Sequence, residues 1–208
     1  MSLLECLVGL TLSLILVAPL IKNSGELIAK HIEYEKTQSI TSEADRALEL
    51  IGRAIRMAGY RNEKSFIPVG RKNLSMGDYI EVQKNNGYRG SDALMVKHEL
   101  SGRVDFDCIG NTLSKERTKK NLAYQGFLVD RQASAPKGVR VNGGSLICQS
   151  LDRQGRLQNI TLMNGVHLLS ITQLQGGAGR ALQVRLEMTD GAFIHQVFER
   201  IFTTRNIL

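Results

Sequence analysis

The chain has 208 residues, 42% of them apolar, with three prolines and no tryptophan. That is enough for one ordinary domain plus an extra element, and it excludes a disordered chain. A net charge of +7 admits a polyanion or an anionic surface as partner, but the cations are scattered. The densest basic run, Lys115–Lys120, contains Glu116 and no aromatic, whereas strand-binding surfaces cluster cations with stacking rings. It reads as a solvated loop.

In chain order, the first predicted element is apolar. Leu3 to Ile21 holds one ionisable side chain, Glu5, and Lys22-Asn23 ends the run. As a helix it spans about 28 Å, close to a bilayer core. A cleaved secretory signal fits poorly: no Lys or Arg precedes the run, and Val17-Ala18-Pro19 is a poor cleavage site. A generic single-span anchor leaves Glu5 unexplained, because a carboxylate in a membrane span is expensive and is kept for a purpose. One helical turn from the chain's α-amino group, it reads as a polar registry contact between parallel apolar helices, on the logic of a buried polar residue in a coiled coil. The competing reading is a carboxylate snorkelling to the interface.

Ser2-Leu3-Leu4-Glu5-Cys6-Leu7-Val8 resembles the class III signal of type IV prepilins and pseudopilins. There a dedicated peptidase removes a short basic leader, the new first residue is N-methylated, and Glu stands at position 5. The resemblance makes Met1 the processed, methylated N-terminus, with the leader removed or left out of the numbering. The family usually has Phe where Met1 stands.

Helical character continues beyond the apolar run. Leu27, Ile28 and Ile32 recur at helical spacing, 33–42 is polar, and Ala44, Ala47, Leu48, Ile51, Ala54, Ile55 and Ala58 then form one stripe. Ser42 followed by Asp45 resembles a capping signal and allows a break there; Gly59 is a stop. Pro19 removes one helix hydrogen bond and is a kink; Gly9 and Gly25 are weak points. The division is therefore 1–25 as a transmembrane and assembly stalk, 26–59 as the amphipathic half of the helix, and 60–208 as a globular β-rich domain. Unbroken, residues 2 to 58 would make a helix of about 85 Å.

After Gly59 the predicted strands are Tyr79–Gln83, Ala93–His98, Val104–Cys108, Gly126–Asp130, Leu146–Gln149, Gln158–Met163, Val166–Gln173, Leu182–Met188 and Phe193–Phe202. Leu182, Val184, Leu186 and Met188 alternate with Gln183, Arg185 and Glu187, so one face is buried. Thr189-Asp190-Gly191-Ala192 closes a hairpin with the last strand. Asn85-Asn86-Gly87 and Asn142-Gly143-Gly144 are further turns. The fold class is α+β: a long helix packed on a mainly antiparallel sheet. Cys108 and Cys148 lie at strand ends. A disulfide between them closes about 40 residues and contributes roughly 4 kcal/mol; two free, buried thiols are the alternative. Cys6 stays a small apolar residue in the membrane helix.

Arg56-Met57-Ala58-Gly59-Tyr60, Gly90-Ser91-Asp92-Ala93-Leu94-Met95-Val96, Asp107-Cys108-Ile109-Gly110, Ser145-Leu146-Ile147-Cys148, Leu162–Leu169 and Arg205-Asn206 together resemble the PilW-type minor pilins. More loosely they resemble the J-type pseudopilins of type II secretion. The resemblance implies a structural subunit that primes assembly of a type IV pilus and sits at or near its tip. Its implied partners are other minor pilins and the major pilin through the N-terminal helix, an inner-membrane assembly platform, the prepilin peptidase, and membrane lipid before assembly. Its implied place is the inner membrane in a single pass, with the C-terminal domain periplasmic, and the pilus surface after assembly. DNA at Lys115–Lys120 is a weaker expectation.

No catalytic constellation emerges, and neither a cofactor nor a metal is expected. His31, His98, His167 and His195 are isolated in sequence, without HExxH or HxH. No GxSxG or phosphate loop occurs. Asp105 and Asp107 read as a solvated strand edge, and Gly176-Gly177-Ala178-Gly179 as a hairpin loop. Two other readings compete: an anchored periplasmic binding or adhesion module, and an anchored enzyme.

Overall fold

A computed structural model describes residues 3–62, 79–132, 143–174 and 181–206. Among these residues one α-helix, α1 (Leu3–Met57), precedes nine strands: β1 (Ile80–Gln83), β2 (Ala93–Glu99), β3 (Asp105–Phe106), β4 (Thr112–Leu113), β5 (Leu122–Arg131), β6 (Gly144–Leu151), β7 (Leu157–Leu174), β8 (Ala181–Thr189) and β9 (His195–Thr203). The chain divides into two compact units, Met1–Thr41 and Ser42–Leu208. The α+β expectation holds: one long N-terminal helix and an antiparallel sheet.

In the second unit the predicted stripe is the buried face of α1. Ala44, Ala47, Leu48, Ile51, Ala54, Ile55 and Ala58 have essentially no solvent exposure. Small residues let the helix approach the sheet closely: a Cβ on Gly52 would stand 2.3 Å from the Phe202 ring. Arg200 reaches Asp45 at 2.8 Å. The helix ends where Gly59 adopts φ +71°, a left-handed stop that costs glycine little. The Gly59 amide donates to the Lys97 carbonyl on β2 (3.1 Å). The Asn206 side-chain amide donates to the Arg56 and Ala58 carbonyls (3.3 and 3.0 Å), satisfying acceptors that a helix end leaves open. α1 does not break at Ser42. Beside it, the Thr41 hydroxyl bonds back to the Thr37 carbonyl, and the stripe from Ala44 onward holds the helix through the capping signal. Pro19 lies inside the continuous helix.

The main sheet has seven antiparallel strands in the order β1-β2-β5-β6-β7-β8-β9, with β3-β4 as a separate hairpin. Leu182, Val184, Leu186 and Met188 are buried, as their alternation predicts, and β8 pairs with β9 from Ala181↔Thr203 to Thr189↔His195. The two strands expected at Gln158–Met163 and Val166–Gln173 are one 18-residue strand. Gly165, at φ +76°, is the extra residue of a bulge between Ser145↔Asn164 and Gly144↔Val166, so the strand runs on through the gap left between the two expected ones. β7 pairs with β6 up to Val166 and with β8 from Val166 onward. Past the end of β6, its amides are taken by the Gly90-Ser91-Asp92 segment. Leu169 N–H donates to Ser91 Oγ (3.2 Å) and Ile171 N–H to Asp92 Oδ2 (2.8 Å). Lys84 Nζ locks the junction, donating to Asp92 Oδ2 (2.8 Å) and the Ile171 carbonyl (2.6 Å). Buried backbone amides need such partners.

Three further expectations change. The strand expected at Val104–Cys108 is only Asp105–Phe106, because Asp107 Oδ1 accepts the Ile109 and Asn111 amides and turns the chain; its partner β4 is too short to show any alternation in the sequence. β9 starts at His195, since Asp190 Oδ1 accepts the amides of Ala192, Phe193 and Ile194, leaving Phe193 98% exposed. β5 begins at Leu122, not Gly126. Gly176–Gly179 and Asn142 lie outside the described residues.

Candidate functional site

In the first unit, α1 carries apolar residues on every side. Leu4, Leu7, Val8, Leu10, Leu12, Leu14, Ile15, Leu16, Val17, Leu20 and Ile21 are all between 46% and 69% exposed. Two hydroxyls among them bond to the helix's own backbone. Thr11 Oγ1 donates to the Val8 carbonyl (2.9 Å) and Ser13 Oγ to the Gly9 carbonyl (2.8 Å). Hydroxyls satisfied by their own helix leave a surface that lipid or another apolar helix accepts without penalty. α1 is long and apolar enough to cross a membrane by length and composition. Glu5 lies on this helix, with its side chain outside the described residues, as is Met1. Cys6 is free and exposed.

In the second unit, Cys108 and Cys148 are joined by a disulfide with Cα atoms 6.1 Å apart, which pins the β3-β4 hairpin to β6. Beside it, Asp107 and Arg117 form a buried pair at 3.2 Å. Arg117 also donates to the Leu151 and Thr112 carbonyls (2.8 and 3.3 Å). Two readings are corrected here. Asp107 is buried rather than on a solvated edge, because its carboxylate is saturated by two amides and a guanidinium. Lys115–Lys120 is not wholly solvated either: Lys115–Arg117 is a 3-10 turn that sends Arg117 into the interior. Asp105 is held by Ser101 through its amide and hydroxyl, both at 2.6 Å. Between this hairpin and the β6–β7 turn lies an open cleft of about 550 Å³, lined by Thr112, Ser114, Glu116, Arg117, Asp152 and Arg153. The Arg156 backbone amide, with further help from the Arg156 side chain and the Gln154 amide, holds the Asp152 carboxyl below its usual range.

The histidines are not all isolated. His167 and His195 meet edge to face with ring centroids 5.4 Å apart, brought together by the β7–β8–β9 register. Arg89 Nη1 stands 3.4 Å from His167 Nδ1, and Glu187 3.5 Å from His195 Nε2. Nothing in linear spacing signals this, because the residues meet across three strands. His98 faces the core with 1% exposure. Burial pushes its pKa below the usual imidazole value, against the opposing effects of the Glu99 carbonyl and the Asp105 charge. No group of three His, Cys, Asp or Glu among the described residues is arranged to hold a metal ion.

No protein-family model, curated protein or solved structure matches this chain.

Proposed function

We propose that this chain is a minor pilin of the PilW type, a non-enzymatic subunit that helps prime a type IV pilus. One observation carries the reading: a single helix is apolar and exposed on every side from Leu4 to Ile21, then continues as the stripe Ala44–Ala58 buried in an antiparallel domain. The first stretch would sit in lipid before assembly and against the helices of other subunits afterwards. A soluble domain has no use for such a surface, which water penalises by about 25 cal/mol per Å². Glu5, on this helix, would supply the polar contact that sets register.

Intact mass and N-terminal sequencing of the native protein, from membranes or sheared filaments, test the reading. A methylated first residue four positions before Glu5, on a chain shortened from its gene product, is the expected result. Upstream residues still attached would reduce the protein to an anchored periplasmic domain. The cleft beside the disulfide favours that second reading, a binding module, and would then become its candidate ligand site. Glu5→Ala should leave the fold and membrane insertion intact while filament incorporation fails; loss of the domain's fold in that variant would overturn the registry role.

A further inference from the structure

The seven-stranded sheet ends in two unlike edges. β1 is four residues long, and a very short edge strand gives another chain little to pair with. β9 is nine residues long, and β8 is its one strand partner among the described residues. It lacks the devices that blunt an edge: it has no proline, no lysine and no register shift against β8.

The exposed face of β9 is apolar at intervals. Phe202 is buried, so alternation puts His195, Val197, Glu199 and Ile201 on the opposite face. Val197 is 46% and Ile201 58% exposed, and Phe193, two residues before the strand, is 98% exposed. The backbone that carries Phe193 is fixed, because Asp190 Oδ1 accepts the amides of Ala192, Phe193 and Ile194. A preorganised aromatic loses little freedom when a partner covers it.

Counted outward from Val197, this row is its own complement. Set antiparallel to a second copy about Val197, it places Val197 against Val197, His195 against Glu199 and Phe193 against Ile201. Apolar meets apolar, and an acid meets a hydrogen-bond donor. Glu187 lies 3.5 Å from His195 but is engaged by Arg185 at 2.9 Å, so the imidazole can give an N–H to the second copy. Glu199 accepts from Gln183 Nε2, and a carboxylate has room for a further donor. Neighbouring registers that keep the same face outward are poorer. Val197 opposite Ile201 sets the two Glu199 carboxylates against each other, a destabilising like-charge pair. A shift of two residues from that register sets Glu199 against Ile201 or against Val197. A slip of one residue turns every side chain to the wrong face.

We propose that β9 pairs antiparallel with β9 of a second copy of this chain, about a two-fold axis at Val197. Main-chain hydrogen bonds between His195 and Glu199 supply affinity, and the alternate side chains set the register. The contact lies in the second unit and does not depend on the filament reading.

The test is disulfide trapping of the full chain in neutral detergent micelles, in a Cys6→Ser background that removes the free thiol. Val197→Cys would bring its two copies to Cα atoms about 5 Å apart, within disulfide reach. Phe193→Cys or Ile201→Cys alone leaves the paired thiols about 27 Å apart, whereas a mixture of those two variants brings unlike thiols together. Val197→Cys and the mixture should therefore form at least about tenfold more disulfide dimer than either single variant. Val197→Lys, at an exposed position, sets two cations on the axis. Added to both members of the mixture, it should abolish the cross-link while leaving the thermal unfolding midpoint unchanged. Failure of both Val197→Cys and the mixture to cross-link would overturn the proposal. So would a Glu199→Cys variant that cross-links to itself more than Val197→Cys does, because that places the axis elsewhere.

Discussion

Residues 4–21 and 44–58 of α1 are both rich in aliphatic side chains, yet every large one described in the first stretch is exposed and the stripe in the second is buried. The difference lies in arrangement. The first stretch is apolar on all sides, so no single packing partner in its own chain can cover it. The second confines its apolar residues to steps of three and four, places charged residues opposite, and uses alanine and glycine where the sheet comes close. One helix is therefore built for two different surroundings, and substitutions of the same kind should have opposite consequences in its two parts.

The largest break in that comparison is a charge. Ile51→Asp would bury an unpaired carboxylate and should unfold the domain, a loss of more than about 4 kcal/mol. Leu14→Asp should leave the domain's thermal unfolding unchanged but cost about 3 kcal/mol of membrane insertion. Circular dichroism melts and membrane fractionation of the two variants give the contrast. Unfolding by Leu14→Asp would show that the first stretch is part of the folding unit.

A milder version removes only volume. Ile55→Ala should cost about 2–5 kcal/mol by denaturant unfolding, whereas Leu16→Ala should cost the domain nothing measurable. Equal effects would erase the distinction between the two stretches.

Much of this was legible in the sequence because periodicity is local. The all-round apolar run, the stripe, the Gly59 stop, the alternation in β8 and the paired cysteines each depend on residues a few positions apart or on residue type. What was not legible depends on distant partners. Asp107 looks like a surface acid until Arg117 and two amides surround it. The β7 strand looks like two until pairing with β6 carries it past Gly165 and the Ser91-Asp92 segment takes up its amides beyond. His167 and His195 are 28 positions apart in the numbering and meet only across three strands. Asn206 had no readable signal as a helix cap, because its acceptors lie far away in the chain.

Glycine sharpens the comparison at smaller scale. At Gly25 no atom lies within 4 Å of the place a Cβ would take, so Gly25→Ala should raise helicity by its propensity of about 1 kcal/mol. At Gly52 the same methyl meets the Phe202 ring at 2.3 Å, and the ring is also engaged by Arg56 at 5.9 Å. Overpacking costs about 1–3 kcal/mol, so Gly52→Ala should be destabilising in spite of the better helix former. A stabilised Gly52→Ala would mean that Phe202 yields and that the helix–sheet contact is soft.

The smallest expected effect is acid sensitivity, and it belongs to the packed stretch. In the first unit His31 is exposed beside Glu35; in the second, His98 is buried near Arg53 and Met57 of α1. His98 Nδ1 faces the Glu99 carbonyl at 3.0 Å, and Gln125 Nε2 faces both His98 Nε2 (3.3 Å) and the Phe106 carbonyl (3.2 Å). One neutral tautomer satisfies the set, with Nδ1–H donating and Nε2 accepting. A proton on Nε2 would oppose the Gln125 amide donor, and turning that amide would forfeit its bond to Phe106. The folded-state pKa is lowered, so the unfolded chain takes up the proton first. Stability is then fully present above the unfolded value of about 6.5 and declines as pH falls below it. Urea unfolding between pH 8 and 5 should show that decline in the wild type, and His98→Gln should flatten it. An equal slope in His98→Gln would assign the acid sensitivity to the carboxylates instead.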